Sequence, residues 1–324
     1  MISVNRRAGA IVARMIDDCE ALDIEVRRLP NGATVLDAGI GVRGSLEAGR
    51  LLAEACLGGL ASVGFSHRSY GPGEAGGGPE LRLPAVEVDV CLPHIACMAS
   101  QYAGWPVRAG DYAAVGSGPA RALAAFEEVF RNLGYRDASD TAVLVLEGRR
   151  MPDAEVAAAV AERCGVPPGR LFLLAAPTAS LAGSVQIAAR SAETGMHKLA
   201  QLGFDLRKVH AAAGSCPLAP VAEDDAHAVG RTNDAILYGS EVFFAVEARD
   251  AELAPMVDAL PSSASRDYGT PFYELFRRCG GDFYRIDPLL FSPARAVVNN
   301  LSSGRTYSCG SIHPGLLRRS LLES

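Results

Sequence analysis

The stretch TAVLVLEGRRMPDAEVAAAVAERCGVPPGRLFLLAA, residues 141–176, decides the fold. TAVLVLE (141–147) and RLFLLAA (170–176) are short apolar runs of strand length and composition. Between them, PDAEVAAAVAERCG (152–165) has the composition of a helix, and the turn VPPG (166–169) closes the unit. A strand, a helix and a strand in this order point to an α/β protein with parallel pairing.

Working outward, ATVLDAG (33–39) reads as a strand and SLEAGRLLAEACL (45–57) as the helix after it. AVEVDVC (85–91) predicts a strand, with a helix from about Pro93 to Tyr102. DYAAVGSGPARALAAFEEVFRNLG (111–134) predicts a strand, a glycine-rich turn and one helix. The last third differs. AILYGSEVFFAVEA (235–248) reads as extended chain interrupted at Gly239, and ARAVVNNLSSGRTYSCG (294–310) as a hairpin around Ser303-Gly304. These segments imply an antiparallel portion, so the expected class is mixed α/β. GPGEAGGGPE (71–80) is the one low-complexity stretch and reads as a surface loop. No internal repeat is visible.

The composition, 49% hydrophobic and 21% charged, is that of a globular protein with a large core. A net charge of −6 argues against a general nucleic-acid binder. No apolar run approaches membrane-span length. The N-terminal MISVNRRAGAIVARMIDDCEAL reads as an amphipathic helix and not a secretory signal. The eight cysteines include no CxxC pair, which suits reduced thiols in a cytoplasmic protein.

DAGIGVRGS (37–45) places Gly39, Gly41 and Gly44 between a strand and a helix, as a dinucleotide fingerprint requires. The acidic residue expected roughly 20 positions later, to hold a ribose, is missing. His67 and Arg68 could accept a phosphorylated ribose instead, so a structural turn and an NADP-dependent oxidoreductase site both stand as readings. A second turn, Gly116-Ser117-Gly118-Pro119, could hold an anion on its N–H groups or simply start a helix. None of the six histidines has the spacing of a metal motif. Asp224, Asp225 and His227 form a carboxylate–imidazole cluster that reads as a solvated loop or helix cap. No GxSxG elbow is present.

SVQIAARSAETGMHKL (184–199) reads as one helix with Ser184 as N-cap. At about 100° per residue, Gln186, Arg190, Glu193 and His197 fall on a stripe about 60° wide, beside an apolar face. Gly195 inside the helix should cost about 1 kcal/mol against Ala, unless another group must approach closely. Spacing alone leaves two readings open: a solvated face with an ordinary i,i+3 ion pair, or a set of acid–base groups.

At this point a resemblance is visible. PTASLAGSVQIAARSAETGMHKL (177–199), VHAAAGSCPLAPVAEDDAHAVGRTNDAILYGSE (209–241), PSSASRDYGTPFYELF (261–276) and DFYRIDPLLFSPA (282–294) resemble the methenyltetrahydromethanopterin cyclohydrolase family. The likeness runs nearly the whole chain, to HPGLLRRS (313–320), so residues 1–324 are expected to form one family domain. The resemblance implies two α/β lobes with a pocket between them and a homotrimer. It implies a tetrahydromethanopterin derivative as substrate, with no metal and no bound cofactor. It also implies a catalytic Arg and Glu three residues apart, falling on Arg190 and Glu193. Glu193 would be the base that takes a proton from water, and Arg190 would hold it in place and ionised. His197, Asn233, Asp267, Tyr268 and Ser320 are the candidate substrate-binding residues in the family-like blocks.

Overall fold

A computed structural model describes residues 2–71, 80–281 and 285–323. The expected loop at 71–80 therefore lies almost wholly outside the described residues. The chain divides into two compact units, residues 1–62 with 94–186, and residues 63–93 with 187–324.

The first unit is built on a six-stranded sheet. Its strands are β1 (Glu25–Arg28), β2 (Thr34–Asp37), β5 (Trp105–Ala109), β6 (Tyr112–Ser117), β7 (Ala142–Glu147) and β8 (Leu171–Ala176), in the order β1-β2-β8-β7-β6-β5. β2, β8 and β7 are parallel. The unit predicted from residues 141–176 is present: α5 (Ala154–Cys164) joins β7 to β8. Asp153 caps α5 by accepting from the N–H of Glu155 and Val156, and Gly165 ends it at φ 68°.

Alternation along the strands feeds two cores. Leu144, Leu146, Leu173 and Ala175 pack with Val156 and Val160 of α5 on one face. Val143, Val145, Leu174 and Ala176 pack on the other, against Val12 of α1 (Val4–Asp17) and Leu51 and Leu52 of α2 (Leu46–Cys56). Val35 and Leu36 of β2 split between the two faces in the same way.

The second unit has its own six-stranded sheet, in the order β12-β11-β10-β9-β4-β3. Its strands are β3 (Ala61–Ser69), β4 (Arg82–Cys91), β9 (Val209–Pro217), β10 (Glu241–Val246), β11 (Arg295–Asn300) and β12 (Thr306–Gly310). The antiparallel character expected of the last third is present in β4–β9, β9–β10 and β11–β12, with β10–β11 parallel. The architecture is mixed α/β, as expected.

Several local expectations are corrected. Residues 235–239 are helical, not extended. They complete α8 (Asp225–Gly239), nucleated at the Asp224 cap, and β10 starts two residues after Gly239. Burial along Asp234–Gly239 overrides the extended propensity of Ile236 and Tyr238. Gly239 is required by packing, since a Cβ there would lie 2.5 Å from Pro217 Cγ. The single helix expected within 111–134 is two short ones, α3 (Ala120–Ala124) and α4 (Phe130–Leu133), parted at Ala125, which sits at φ 41°. The segment after β4 is π-helical over His94–Gln101, and follows Leu92 at φ 50°. β5 and β9 had no clear sequence signature.

The glycine turn after β2 resolves between its two readings. Asp37, fully buried, accepts from the N–H groups of Gly39, Ile40 and Gly41 at 2.9, 2.7 and 2.8 Å. A pyrophosphate would need those donors, and the chain's own carboxylate already holds them. Gly39 is pressed against Ser180, whose Cβ would lie 2.7 Å from an added Cβ. The oxidoreductase alternative is therefore not supported. In the second turn, the Gly118 N–H is likewise spent on the Ser100 carbonyl. Asp37→Ala removes three charge-assisted hydrogen bonds that close the turn. A loss of roughly 2–4 kcal/mol is expected in equilibrium denaturant unfolding.

Candidate active site

The helix carrying the Arg/Glu pair is not one helix. α6 (Leu181–Ala188) begins before Ser184, with the Ser180 hydroxyl accepting from the Gly183 N–H. The ladder then breaks: Arg190 sits at φ −82°, ψ 1°, and its N–H bonds the Ile187 carbonyl, three residues back. α7 (Ser191–Gln201) starts after it. Gln186 is therefore out of register with Arg190, Glu193 and His197. Its amide instead reaches Cys56 Sγ at 3.6 Å. The break makes Arg190 the cap residue of α7 and puts Glu193 in the first turn, where the helix dipole favours a carboxylate.

Two glycines seat α7 on the second sheet. A Cβ on Gly214 of β9 would lie 2.3 Å from Ser191 Oγ, and one on Gly195 would lie 2.7 Å from the Phe244 ring of β10. The close approach that would justify Gly195 is thus supplied by an aromatic side chain. Ser191 is fully buried, and its Oγ has no hydrogen-bond partner among the described residues.

Arg190 Nη1 and Glu193 Oε2 are 3.5 Å apart, and the residues are 8% and 6% exposed. The solvated-face reading of this helix is overturned by that burial. Burying an ion pair gains little net stability, because desolvation offsets the attraction. The Thr194 hydroxyl bonds the Arg190 carbonyl at 2.8 Å, bracing the first turn. Further along, Lys198 is fully buried and its ammonium donates to the Leu289 carbonyl. Burial pushes Lys198 down to about 8, against the opposing pull of Asp287.

The other candidates separate. His197 is half-buried on α7 beside the Gln201 amide, 3.5 Å away. Asn233 donates to the Val229 carbonyl of its own helix at 2.8 Å. Asp267 accepts from the Asp287 N–H at 2.8 Å, tying two loops together. Tyr268 packs in an aromatic group with Tyr238 and His313, with centroids 5.2 and 6.3 Å away. Ser320, on α11 (Pro314–Leu322), is buried and donates to Asp234 Oδ2 at 2.6 Å. The structure thus joins Arg190 to Glu193, and Ser320 to the residue following Asn233.

Asp224 is the cap of α8, accepting from the His227 N–H and meeting its Nδ1 at 2.9 Å. His227 stacks on Tyr273. With Glu223 these side chains come within 4.8 Å of one another. Among the described residues, no helix is long and apolar enough to cross a membrane.

Sequence reasoning missed Asp234, Ser191 and the role of Lys198. Their only signal was polarity inside apolar stretches.

Residues 3–321 match the family described as Cyclohydrolase (MCH), and the chain belongs to that family. It is 44% identical to the methenyltetrahydromethanopterin cyclohydrolase of Methanococcoides burtonii, covering 99% of this chain and 98% of that one. The enzyme of the same name from Methanocaldococcus jannaschii is 45% identical over 99% and 98% of the two chains. That of Methanothermobacter marburgensis is 43% identical over 99% of both.

Asp234 yields a pH prediction. Burial pushes it up to about 7, opposed by hydrogen bonds from Ser320 and the Phe272 N–H. An acid raised on folding holds its proton more tightly in the folded state. Stability should therefore fall as pH rises from the ordinary carboxylate range to about 7, then level off. The full effect is on the order of a few kcal/mol. Asp234→Asn should flatten that slope, measured as the unfolding midpoint between pH 5 and 8.

Proposed function

We propose that the chain hydrolyses 5,10-methenyltetrahydromethanopterin to the 5-formyl derivative, reversibly, as a step of one-carbon metabolism. Its setting would be formaldehyde oxidation in a methylotroph or the one-carbon transfers of methanogenesis. The observation that carries this reading is the buried Arg190–Glu193 pair at a helix break, in a chain of the cyclohydrolase family.

The substrate carbon is a cationic amidinium, bridging two nitrogens. Water adds to it, and Glu193 takes the proton as the C–O bond forms. In the hydroxy adduct the bond from carbon to the second nitrogen then breaks. That nitrogen gains a proton, and the hydroxyl loses its own to become the formyl oxygen. One proton is released overall. Glu193 also faces a cation in the ground state, and Arg190 holds the carboxylate in one orientation through its planar fork. The carbon stays at the oxidation level of formic acid throughout, so the reaction needs no redox cofactor. It is electrophilic before it binds, so it needs no Lewis acid. His197, Asn233, Asp267, Tyr268 and Ser320 are the groups proposed to shape the substrate site. Asp267 and Ser320 would do so indirectly, since their side chains are engaged by Asp287 and Asp234.

Turnover is followed by loss of the conjugated ultraviolet band of the methenyl substrate. Glu193→Gln keeps the shape and removes the base. A fall in kcat of about 10²–10⁴-fold, with a smaller change in KM, is expected. Arg190→Lys should recover only part of the activity, because an ammonium lacks the fork. A Glu193→Gln variant losing less than tenfold would exclude Glu193 as the base.

The homotrimer implied by the resemblance, and a cytoplasmic site of action, form part of the same proposal. Sedimentation equilibrium at micromolar protein should give three times the 33.9 kDa chain mass; a fully active monomer would refute the trimer.

A further inference from the structure

Lys198 is a buried cation that the proposed chemistry does not use. It lies on α7, beyond Glu193 and within the second unit. It is fully buried, and among the described residues its ammonium has one acceptor, the Leu289 carbonyl. Taking an ammonium out of water for a single neutral acceptor is costly. A Met of similar length would fill the same space without that cost. Packing alone does not call for a charge here.

The partner of Lys198 supplies a reason for it. Leu289 belongs to the single helical turn Pro288–Leu290, and Asp287 caps that turn by accepting from the Leu289 N–H at 3.1 Å. The other oxygen of Asp287 accepts from the Ser265 hydroxyl at 2.7 Å. The Asp287 N–H donates to Asp267 at 2.8 Å. Ser265 in turn accepts from the Asp267 N–H on its hydroxyl and from the Tyr268 N–H on its carbonyl. A line of contacts thus runs from α7, through the turn, to the loop that carries Asp267 and Tyr268. Lys198 ties that line to the helix of Glu193.

Asp287 is the charge that acts on Lys198, opposing the effect of burial. The charged groups of the elements packed against α7 are exposed or engaged elsewhere. Glu87 of β4 accepts from Ser66 and Ser215, and Asp89 is exposed. Glu241 of β10 pairs with Arg68 and Arg295, and His210 of β9 meets Glu247. After α7, Arg207 pairs with Asp205 and Lys208 with Glu252.

We propose that Lys198 is a positioning residue whose ammonium holds the 287–290 turn, and through it the Asp267–Tyr268 loop, in the arrangement that receives the substrate. Its role is in binding, and the chemical step is left to Arg190 and Glu193. This rests on the reading of Asp267 and Tyr268 as part of the substrate site. When the ammonium loses its proton near pH 8, the charge-assisted bond and the pull on Asp287 go with it, and the line slackens.

The test measures kcat and KM on the methenyl substrate between pH 6.5 and 9 with the full-length protein, and the unfolding midpoint alongside. Wild-type KM should rise by about 3- to 10-fold on passing pH 8, the net weight of one hydrogen bond, with kcat within about twofold. Lys198→Met should carry the raised KM already at pH 7 and show no further rise. Stability should move the other way. Folding lowers this lysine's hold on its proton, so the unfolded state binds more protons from about pH 8 up to the ordinary lysine range. The wild-type midpoint should therefore rise with pH over that interval. The midpoint of Lys198→Met at pH 7 should be no lower than that of the wild type. A structural role predicts the reverse: a lower midpoint with KM unchanged, and that result overturns the proposal. So does a wild-type KM that stays flat through pH 8, a measurement that needs no variant. Tyr268→Ala tests the underlying reading by itself. An unchanged KM there refutes the loop as part of the substrate site, whereas a raised KM in Tyr268→Ala with none in Lys198→Met refutes the positioning role alone.

Discussion

The close seating of α7 on the second sheet is the constraint on which the catalytic reading depends. Gly214 and Gly195 leave no room for a Cβ, so Ser191 and the Phe244 ring fill those spaces. The ladder breaks at Arg190, and that residue becomes a cap. The break sets the first-turn position of Glu193 and the 3.5 Å separation of the pair. Two glycines and one interruption therefore decide where the proposed base stands.

Polar groups in this protein divide by what satisfies them. Asp37 is surrounded by backbone donors, Arg121 by Glu127 and two carbonyls, and Asp234 by Ser320 and a helix-start N–H. These are structural, because folding itself supplies their partners. Arg190 and Glu193 are buried as an ion pair, with Nη1 and Oε2 3.5 Å apart. Groups of the second kind cost desolvation that the contacts within the fold only partly offset.

Much of this was legible along the chain. The β7–α5–β8 unit, the N-terminal helix, the hairpin of β11 and β12, and the antiparallel last third follow from periodicity, turn chemistry and capping residues. The Arg190–Glu193 pair was legible as a spacing, and the blocks around it as a resemblance. Burial was not, since a narrow polar stripe beside an apolar face looks the same whether water or protein lies against it. The helix boundaries at 188–191 and the helical state of 235–239 were also hidden, because they depend on neighbours distant in the chain.

The sequence by itself determined the class of fold, the order of most elements and the spacing of the proposed acid–base pair. These rest on local physics: side-chain period, caps and glycine turns act within a few residues. Tertiary structure alone decided that Asp37 fills its own glycine turn, that α6 and α7 part at Arg190, and that Asp234 meets Ser320. Each of these depends on which groups meet across the fold, and a buried hydrogen bond is set by the partner that burial brings to it.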